Sequence, residues 1–449
     1  MSLVLLFAPS SSAINLRSLT SLDAGSGPGF IHVPVQQTAQ QTIEAPMIRR
    51  RDSGHYSAAA LGHLSSALTI YTINISISGQ DTTVVLDTGS SELWVDPTCS
   101  MAAGDNVKDS AGVSANDQRH SPDYCESIGR YDPALSPTAK DLKDGDVIVY
   151  ADNTTAEFNY YTDNIFIGGL QISGQQFGVA NDTNGTVLGI MGMGPNVVYG
   201  YNSSSQPHSL VLDSMASQGL IASRAFSLNL REHDDAPGSI VFGGVDQKKF
   251  LGSLQTLPLE SLQMTAGASG DGSSHETITV HGGTNVIMTP KGVSSQICDD
   301  AGGTQVPALG LSICSVSCDL KSQDGGLDVN FDGKTIRVDF ENLVAELEQQ
   351  GQTSCALAVT DTIVASDPPT YILGSPFLKA AYAVFDWDNQ QVNLAQAADC
   401  GSQVVAIGTG PGAVPTGVGC EESAALPPAL SSVGPVMAIA AMTSILALI

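Results

Sequence analysis

VVLDTGSSELWV, residues 84–95, is the stretch on which the reading of this chain turns. Val84, Val85 and Leu86 lead into Asp87, and Thr88-Gly89-Ser90-Ser91 follows at once. An apolar, β-branched run of this kind predicts a strand. Gly89 lets the chain turn tightly straight after it. A carboxylate at a strand end can work as a base, and in one chemistry it needs a second acidic group beside it. The first question is therefore where the partner of Asp87 lies.

The text around this stretch is alternating and β-rich, with LTIYTINISIS (68–78) leading into TTVVLDT (82–88). Few segments carry a helical period. FENLVAELEQQ (340–350), with Leu343 and Leu347 on one side, is the clearest, and SLVLDSMASQG (209–219) is another. The fold class is therefore all-β. The chain has 449 residues, 46 of them Gly and 22 Pro, which fits two globular halves. It carries 45 acidic and 18 basic side chains, a net charge of −27. Nucleic acid is excluded as a partner, because phosphate binding needs clustered Lys and Arg. The acidity suits a protein kept soluble outside the cell.

Both ends read as processing segments. MSLVLLFAPSSSA (1–13) reads as a signal peptide that lacks a basic start. Residues 14–51 are polar, end in Arg49-Arg50-Arg51, and read as a pro-segment removed by a protease that cuts at basic pairs. At the other end, Val436–Ile449 is apolar and uncharged. It follows a spacer, Leu426–Pro435, and the small residues Ser423, Ala424 and Ala425. That layout is an anchor signal for glycosylphosphatidylinositol (GPI), over 426–449. The alternative, a membrane-associating helix, is too short to span a bilayer, which takes roughly 20 residues. Gly401–Gly419, rich in Gly, Pro and Val, reads as part of a flexible stalk over 401–425. The expected location is the cell surface, at the plasma membrane or cell wall.

Eight cysteines (99, 125, 298, 314, 318, 355, 400 and 420) read as disulfides in a secreted chain. Cys314 and Cys318 have no His pair at ligand spacing nearby, so no metal is expected. Asn-x-Ser/Thr sequons occur at Asn74, Asn153, Asn181, Asn184 and Asn202.

Taken in order, these segments resemble the pepsin family of aspartic peptidases over most of residues 66–398. After VVLDTGSSELWV come YDPALSPT (131–138), the flap-like VIVYADNTTAEFNYYTDNIFIGGLQISGQQFGVA (147–180) and VLGIMGMG (187–194). AFSLNL (225–230), GSIVFGGVDQKKFLGSLQTLPL (238–259) and YILGSPFLKAAYAVFDWDNQQVNLAQA (371–397) complete the series. The processing signals at both ends are similar to those of the anchored fungal yapsins. The resemblance implies a bilobal fold, with an N-terminal lobe at 66–240, a C-terminal lobe at 241–400 and a cleft between them. It implies an endopeptidase acting on protein or peptide substrates as a monomer, with no cofactor. Each lobe offers one Asp. The two carboxylates share a proton, the ionised one takes a proton from water and the other donates to the scissile carbonyl. Thr88 and Ser90 fix that geometry by hydrogen bonding.

The second lobe should repeat the motif, and it departs from it. ITVHGGTNVIMTP (278–290) stands in the right place, with Gly283 and Thr284 at the loop positions. His281 occupies the Asp position, and Gly282 replaces the hydroxyl residue after it. Asp271, in a Gly/Ser-rich loop, is the nearest rival. Only 22 residues separate Pro258 from His281, so this lobe is either trimmed or missing a piece. An Asp–His pair at acid pH is an ion pair in place of a proton-sharing one. The expectation is a peptidase that is impaired, or a non-catalytic relative that binds peptides or cell-wall partners in the same cleft. A histo-aspartic variant of the family, with the swap in the other lobe, is active.

Tyr150 takes the place of the flap tyrosine, but the glycines that follow it in the family are absent here. The resemblance pairs Cys99 with Cys125 and Cys318 with Cys355. Cys298 with Cys314, and Cys400 with Cys420, are what remain, with other connectivities open. Trp94 is expected in the core under the Asp87 loop.

Overall fold

A computed structural model describes residues 25–39, 69–97, 129–150, 155–184, 188–195, 208–230, 238–258, 266–267, 275–280, 282–308, 311–331, 334–349, 352–362, 370–421 and 438–439. The molecule is all-β and bilobal, built round one long sheet. Strand β1 (Phe30–Ala39) alternates: Ile31, Val33 and Val35 are buried, and the residues between them are half-buried. Strands β2 (Thr69–Ile77) and β3 (Gln80–Asp87) form a two-residue hairpin. Ser78 and Gly79 at its tip both have positive φ, 50° and 84°, as the right-handed twist of such a hairpin demands.

β4 (Leu93–Val95) follows the Asp87 loop. β5 (Lys140–Val149), β6 (Thr155–Ile167) and β7 (Leu170–Asn184) form an antiparallel meander. β8 (Gly189–Gly192) runs parallel to β3 and antiparallel to β4. Helix α1 (Val211–Ser217) leads to β9 (Ala225–Asn229), β10 (Gly238–Phe242) and β11 (Gly244–Asp246).

The second lobe contains β12 (Gln255–Pro258), β13 (His275–Val280), β14 (Ile287–Thr289) and helix α2 (Val293–Asp300). Three hairpins follow or flank them, 304–308 with 311–316, 326–331 with 334–339, and 344–349 with 352–357. The one-turn helix α3 (Phe340–Leu343) joins the second hairpin to the third. β15 (Val359–Asp361), β16 (Thr370–Leu373), helix α4 (Ser375–Ala380), β17 (Ala381–Asp386), β18 (Gln391–Gln396) and β19 (Val404–Ala406) follow.

The long sheet runs β12-β18-β17-β9-β10-β1-β2-β3-β8-β4-β7-β6-β5. Strands from both lobes therefore share one set of backbone hydrogen bonds. β9 and β17 are buried at every residue, as strands covered on both faces must be. On one face Ala225, Val245, Phe250, Tyr382, Val384 and Ala395 form a separate core cluster.

Two expectations change here. FENLVAELEQQ was expected as a helix, yet only Phe340–Leu343 is helical, and Val344–Gln349 pairs as a strand with Gln352–Leu357. The disulfide from Cys318 to Cys355 ties down that partner strand, so tertiary pairing overrides the local helical period. Residues 401–421, expected within a flexible stalk, pack instead. β19 pairs with β11, Ile407 and Val414 enter the separate cluster, and a Cys400–Cys420 disulfide closes the segment. The Cys298–Cys314 disulfide is also present. Cys99 and Cys125 lie outside the described residues, as do the signal peptide and the basic triplet. Of the anchor tail only Ala438 and Ile439 are described, in a short backbone pairing with Asp328 and Val329. Among the described residues no helix is long and apolar enough to cross a membrane.

Candidate active site

Asp87 is the last residue of β3 and is 4% exposed. The turn that follows it supplies its partners. The Gly89 backbone N–H donates to Oδ1 at 2.8 Å, and the Ser90 hydroxyl donates to Oδ2 at 2.6 Å. Both carboxylate oxygens are thus held by donors from residues two and three positions on, which fixes the plane of the group. Beneath it, the Met193 N–H donates to the Asp87 carbonyl at 2.7 Å. The Trp387 indole N–H donates to the Met193 carbonyl at 2.9 Å, so the turn after β17 braces the same loop. Gly192 lies beside Asp87 in the register, and a Cβ there would come within 2.4 Å of the Ser91 carbonyl carbon. Only glycine fits at that crossing.

Thr88 faces the other way. Its side chain is fully buried and reaches the second lobe. Its hydroxyl donates to the Val280 carbonyl at 3.1 Å and accepts from the Gly282 N–H at 2.7 Å. One hydroxyl thereby satisfies two buried backbone groups on the opposite lobe.

The strands of the second lobe repeat the register of the first. Leu93, six residues after Asp87, pairs with Met191, immediately before Gly192. Ile287, seven residues after Val280, pairs with Leu373, immediately before Gly374. Val280 pairs in parallel with Leu373, as Leu86 does with Met191. A Cβ on Gly374 would lie 2.3 Å from the Val286 carbonyl oxygen and 2.4 Å from that of Thr284, the same close crossing as at Gly192. Thr284 also accepts a hydrogen bond from the Ser375 N–H through its carbonyl at 2.7 Å, and Gly283 is exposed.

The hairpin expected to serve as a flap is β5–β6, with Val149 paired to Thr155. Tyr150, half-buried just after β5, accepts a hydrogen bond on its hydroxyl from the Trp94 indole N–H at 2.8 Å. Trp94 is fully buried, as expected, and it also holds the flap tyrosine. Among the described residues there is no cluster of three or more side chains able to hold a metal.

The sequence profile of the family described as "Eukaryotic aspartyl protease" matches residues 70–397. The chain belongs to the eukaryotic aspartyl protease family. The probable aspartic-type endopeptidase opsB of Aspergillus oryzae is 30% identical over 79% of this chain and 74% of its own length. An acid protease of Saccharomycopsis fibuligera is 32% identical over 79% of this chain and 87% of its length. Barrierpepsin of Saccharomyces cerevisiae is 30% identical over 73% of this chain and 59% of its length. Among solved structures, the aspartic proteinase from Irpex lacteus superposes with a TM-score of 0.55, covering 73% of this chain and 94% of that one at 19% identity. That likeness speaks for the fold alone.

Of the site residues expected from the sequence, Asp87, Thr88, Gly89, Ser90, Gly283, Thr284 and Tyr150 are described, and His281 is not. The rival Asp271 also lies outside the described residues, while Asp299 and Asp300 sit in α2. The roles of Trp94 and Trp387 were missed. The former had a signal, since an indole seven residues after Asp87 on the next strand is positioned to look across at the flap.

Proposed function

We propose that this family member is a secreted or cell-surface endopeptidase scaffold in which Asp87 acts on water opposite His281, with impaired hydrolysis. The observation that carries it is the Thr88 hydroxyl bridging Val280 and Gly282. Residue 281 is bonded covalently to both, and the repeated register gives it the spacing to Ile287 that Asp87 has to Leu93. Both support the reading that 281 holds the second acid's position.

In this reading the Asp87 carboxylate, oriented by Gly89 and Ser90, takes a proton from a water that attacks the scissile carbonyl. A protonated imidazole at 281 donates to that carbonyl and so replaces a carboxylic acid. At acid pH the two groups form an ion pair in place of a proton-sharing pair, and the working range moves toward neutrality. Tyr150, held by Trp94, would close over an extended peptide.

We further infer that 14–51 is a pro-segment cut at Arg49–Arg51, that 426–449 directs GPI anchoring as in yapsin-like proteins, and that the mature chain acts as a monomer. A second reading, a peptide-binding relative without catalysis, is favoured by Gly282, which cannot return the hydroxyl bond that Thr88 makes.

The test is cleavage of casein by the mature chain between pH 3 and 7, beside His281→Asp and Asp87→Asn. The expected outcome is weak wild-type activity, best near neutral pH and absent in Asp87→Asn. His281→Asp should gain roughly 10²–10⁴-fold at acid pH. Strong wild-type cleavage at pH 3, unchanged by His281→Asp, would overturn the proposal. No cleavage by any form, with peptide binding intact, would favour the second reading.

A further inference from the structure

The outer face of the flap sheet carries a group that the catalytic reading does not use. In β5, Val147 and Val149 are 49% and 45% exposed. Their cross-strand partners are Glu157 and Thr155 of β6, so all four side chains lie on one face, away from the core. Among the described residues β5 is also the last strand of the long sheet, with no strand paired on its outer edge. Exposed valines on an edge strand are an aggregation liability unless something covers them.

The same face continues onto β7. The register between β6 and β7 shifts at Glu157 and Phe158, leaving Asn181 as the extra residue of a bulge. Asn181 is exposed. It faces the same side as Asn159, whose amide donates to the Asn181 Oδ1 at 3.4 Å. Asn159 in turn pairs with Gly145 on β5, where there is no side chain to stand in the way. Asn181-Asp182-Thr183 is a sequon. The bulge thus sets a sequon amide beside Asn159, on the face where Glu157 and then the two valines come next.

We propose that Asn181 is N-glycosylated and that the proximal sugars lie across Val147 and Val149, covering the outer face of the flap sheet. The proposal rests on passage through the secretory route. There the Asn181 Nδ2 would attack the anomeric carbon of a lipid-pyrophosphate-linked oligosaccharide. The C–N bond forms as the bond to the pyrophosphate oxygen breaks, the lipid pyrophosphate leaves, and the amide loses one proton. The apolar faces of the sugar rings then meet the valine methyls. Asn74, exposed on β2 and accepting from the Thr83 hydroxyl at 2.8 Å, serves as the internal reference sequon.

The experiment takes the full chain, expressed in a eukaryotic secretory host, and treats the secreted protein with peptide N-glycosidase in heavy-oxygen water. Peptide mapping should find labelled aspartate at 181 in most molecules, and Asn181→Gln should remove one glycan step on a gel. Sedimentation should then show self-association of Asn181→Gln that Val147→Thr with Val149→Thr reverses. An unmodified 181 peptide beside a labelled Asn74 peptide overturns the proposal alone. A chain retained in the cell with no sequon labelled overturns it together with the secretory reading. A glycan at 181 whose loss leaves the protein monodisperse overturns the covering role.

Discussion

Thr88 and Gly282 make an unequal pair. The threonine hydroxyl serves two backbone groups of the other lobe, and the glycine returns nothing. Yet there is room for a return. A Cβ on Gly282 would lie 3.5 Å from both the Leu86 carbonyl oxygen and the Thr88 nitrogen, ordinary contact distances, and the Gly282 backbone is not left-handed. A hydroxyl one bond further out could reach either group. Gly282→Thr should therefore stabilise the junction of the lobes by about 0.5–1.5 kcal/mol, a typical net hydrogen bond, with a further gain from a less flexible unfolded chain. Denaturant midpoints on the purified protein would reveal it, and an unchanged or lowered midpoint would count against the geometry. Asp163 offers a second test at this scale. It is 2% exposed and accepts from the hydroxyls of Tyr131 (2.8 Å), Ser136 (2.5 Å) and Thr138 (2.5 Å) and from the Asn164 N–H (2.8 Å). Burial pushes its pKa up, but those donors outweigh it and hold the carboxyl below its ordinary value. A depressed folded pKa gives stability that is present above the unfolded value, about 3.9, and is lost as pH falls through the folded value. Asp163→Asn should cost most near pH 6, and the gap to wild type should narrow in urea titrations at pH 3.

Among the elements, β1 has the most consequence for maturation. It sits between β10 and β2 in the shared sheet, with Ile31, Val33 and Val35 buried, yet it precedes the Arg49–Arg51 triplet. Cutting at the triplet would sever it from the body covalently but not from the sheet. Each buried aliphatic side chain contributes about 1.5–3 kcal/mol, so the strand should stay bound after processing. The expectation is that the peptide containing Phe30–Ala39 co-elutes with the processed protein in native gel filtration and leaves on unfolding. Processed protein free of that peptide, with an unchanged melting temperature, would refute a structural role for it. β1 also marks how far the sequence could be read. FIHVPV alternates visibly, but it lies in a polar span before a cleavage signal, and nothing local says that a strand there pairs with residues some two hundred positions away. The Asp87 loop was legible because its chemistry is local: strand, carboxylate, glycine and hydroxyls sit within a few residues. For the second lobe's loop the sequence offered only Gly283, Thr284 and Pro290 ahead of 291–303, and the register in which Ile287 repeats the place of Leu93 shows only in the strand pairing. The helix expected at 340–350 failed for the opposite reason, because its pairing partner and the Cys318 disulfide are not neighbours in sequence.

For the molecule as a whole, the segment after β18 changes where the lobe ends. Its Gly and Pro content reads as a stalk, because composition reports chain freedom and not the anchors that remove it. Three anchors are present. β19 adds to β11, with Val405 opposite Val245. Ile407 is fully buried and Val414 is 3% exposed, both against the cluster that holds Phe250 and Tyr382. The Cys400–Cys420 disulfide then closes a loop of twenty residues' separation, and Cys420 donates its backbone N–H to the Phe250 carbonyl at 2.7 Å. That cluster lies on the face of the sheet where β9 of the first lobe and β17 of the second lie side by side, so the segment braces the sheet that the lobes share. A chain stopped after Asp399 uncovers it. Losing Ile407 and Val414 should cost about 1.5–3 kcal/mol each, whereas Cys400→Ser with Cys420→Ser should cost only the loop-closure term, about 3 kcal/mol. Thermal unfolding of both variants would separate the contributions. If the segment were a tether and nothing more, the truncated chain would melt with the full-length one and bind no additional hydrophobic dye. If it is part of the lobe, the truncated chain melts lower, binds dye on the uncovered face, and loses more stability than the double serine variant.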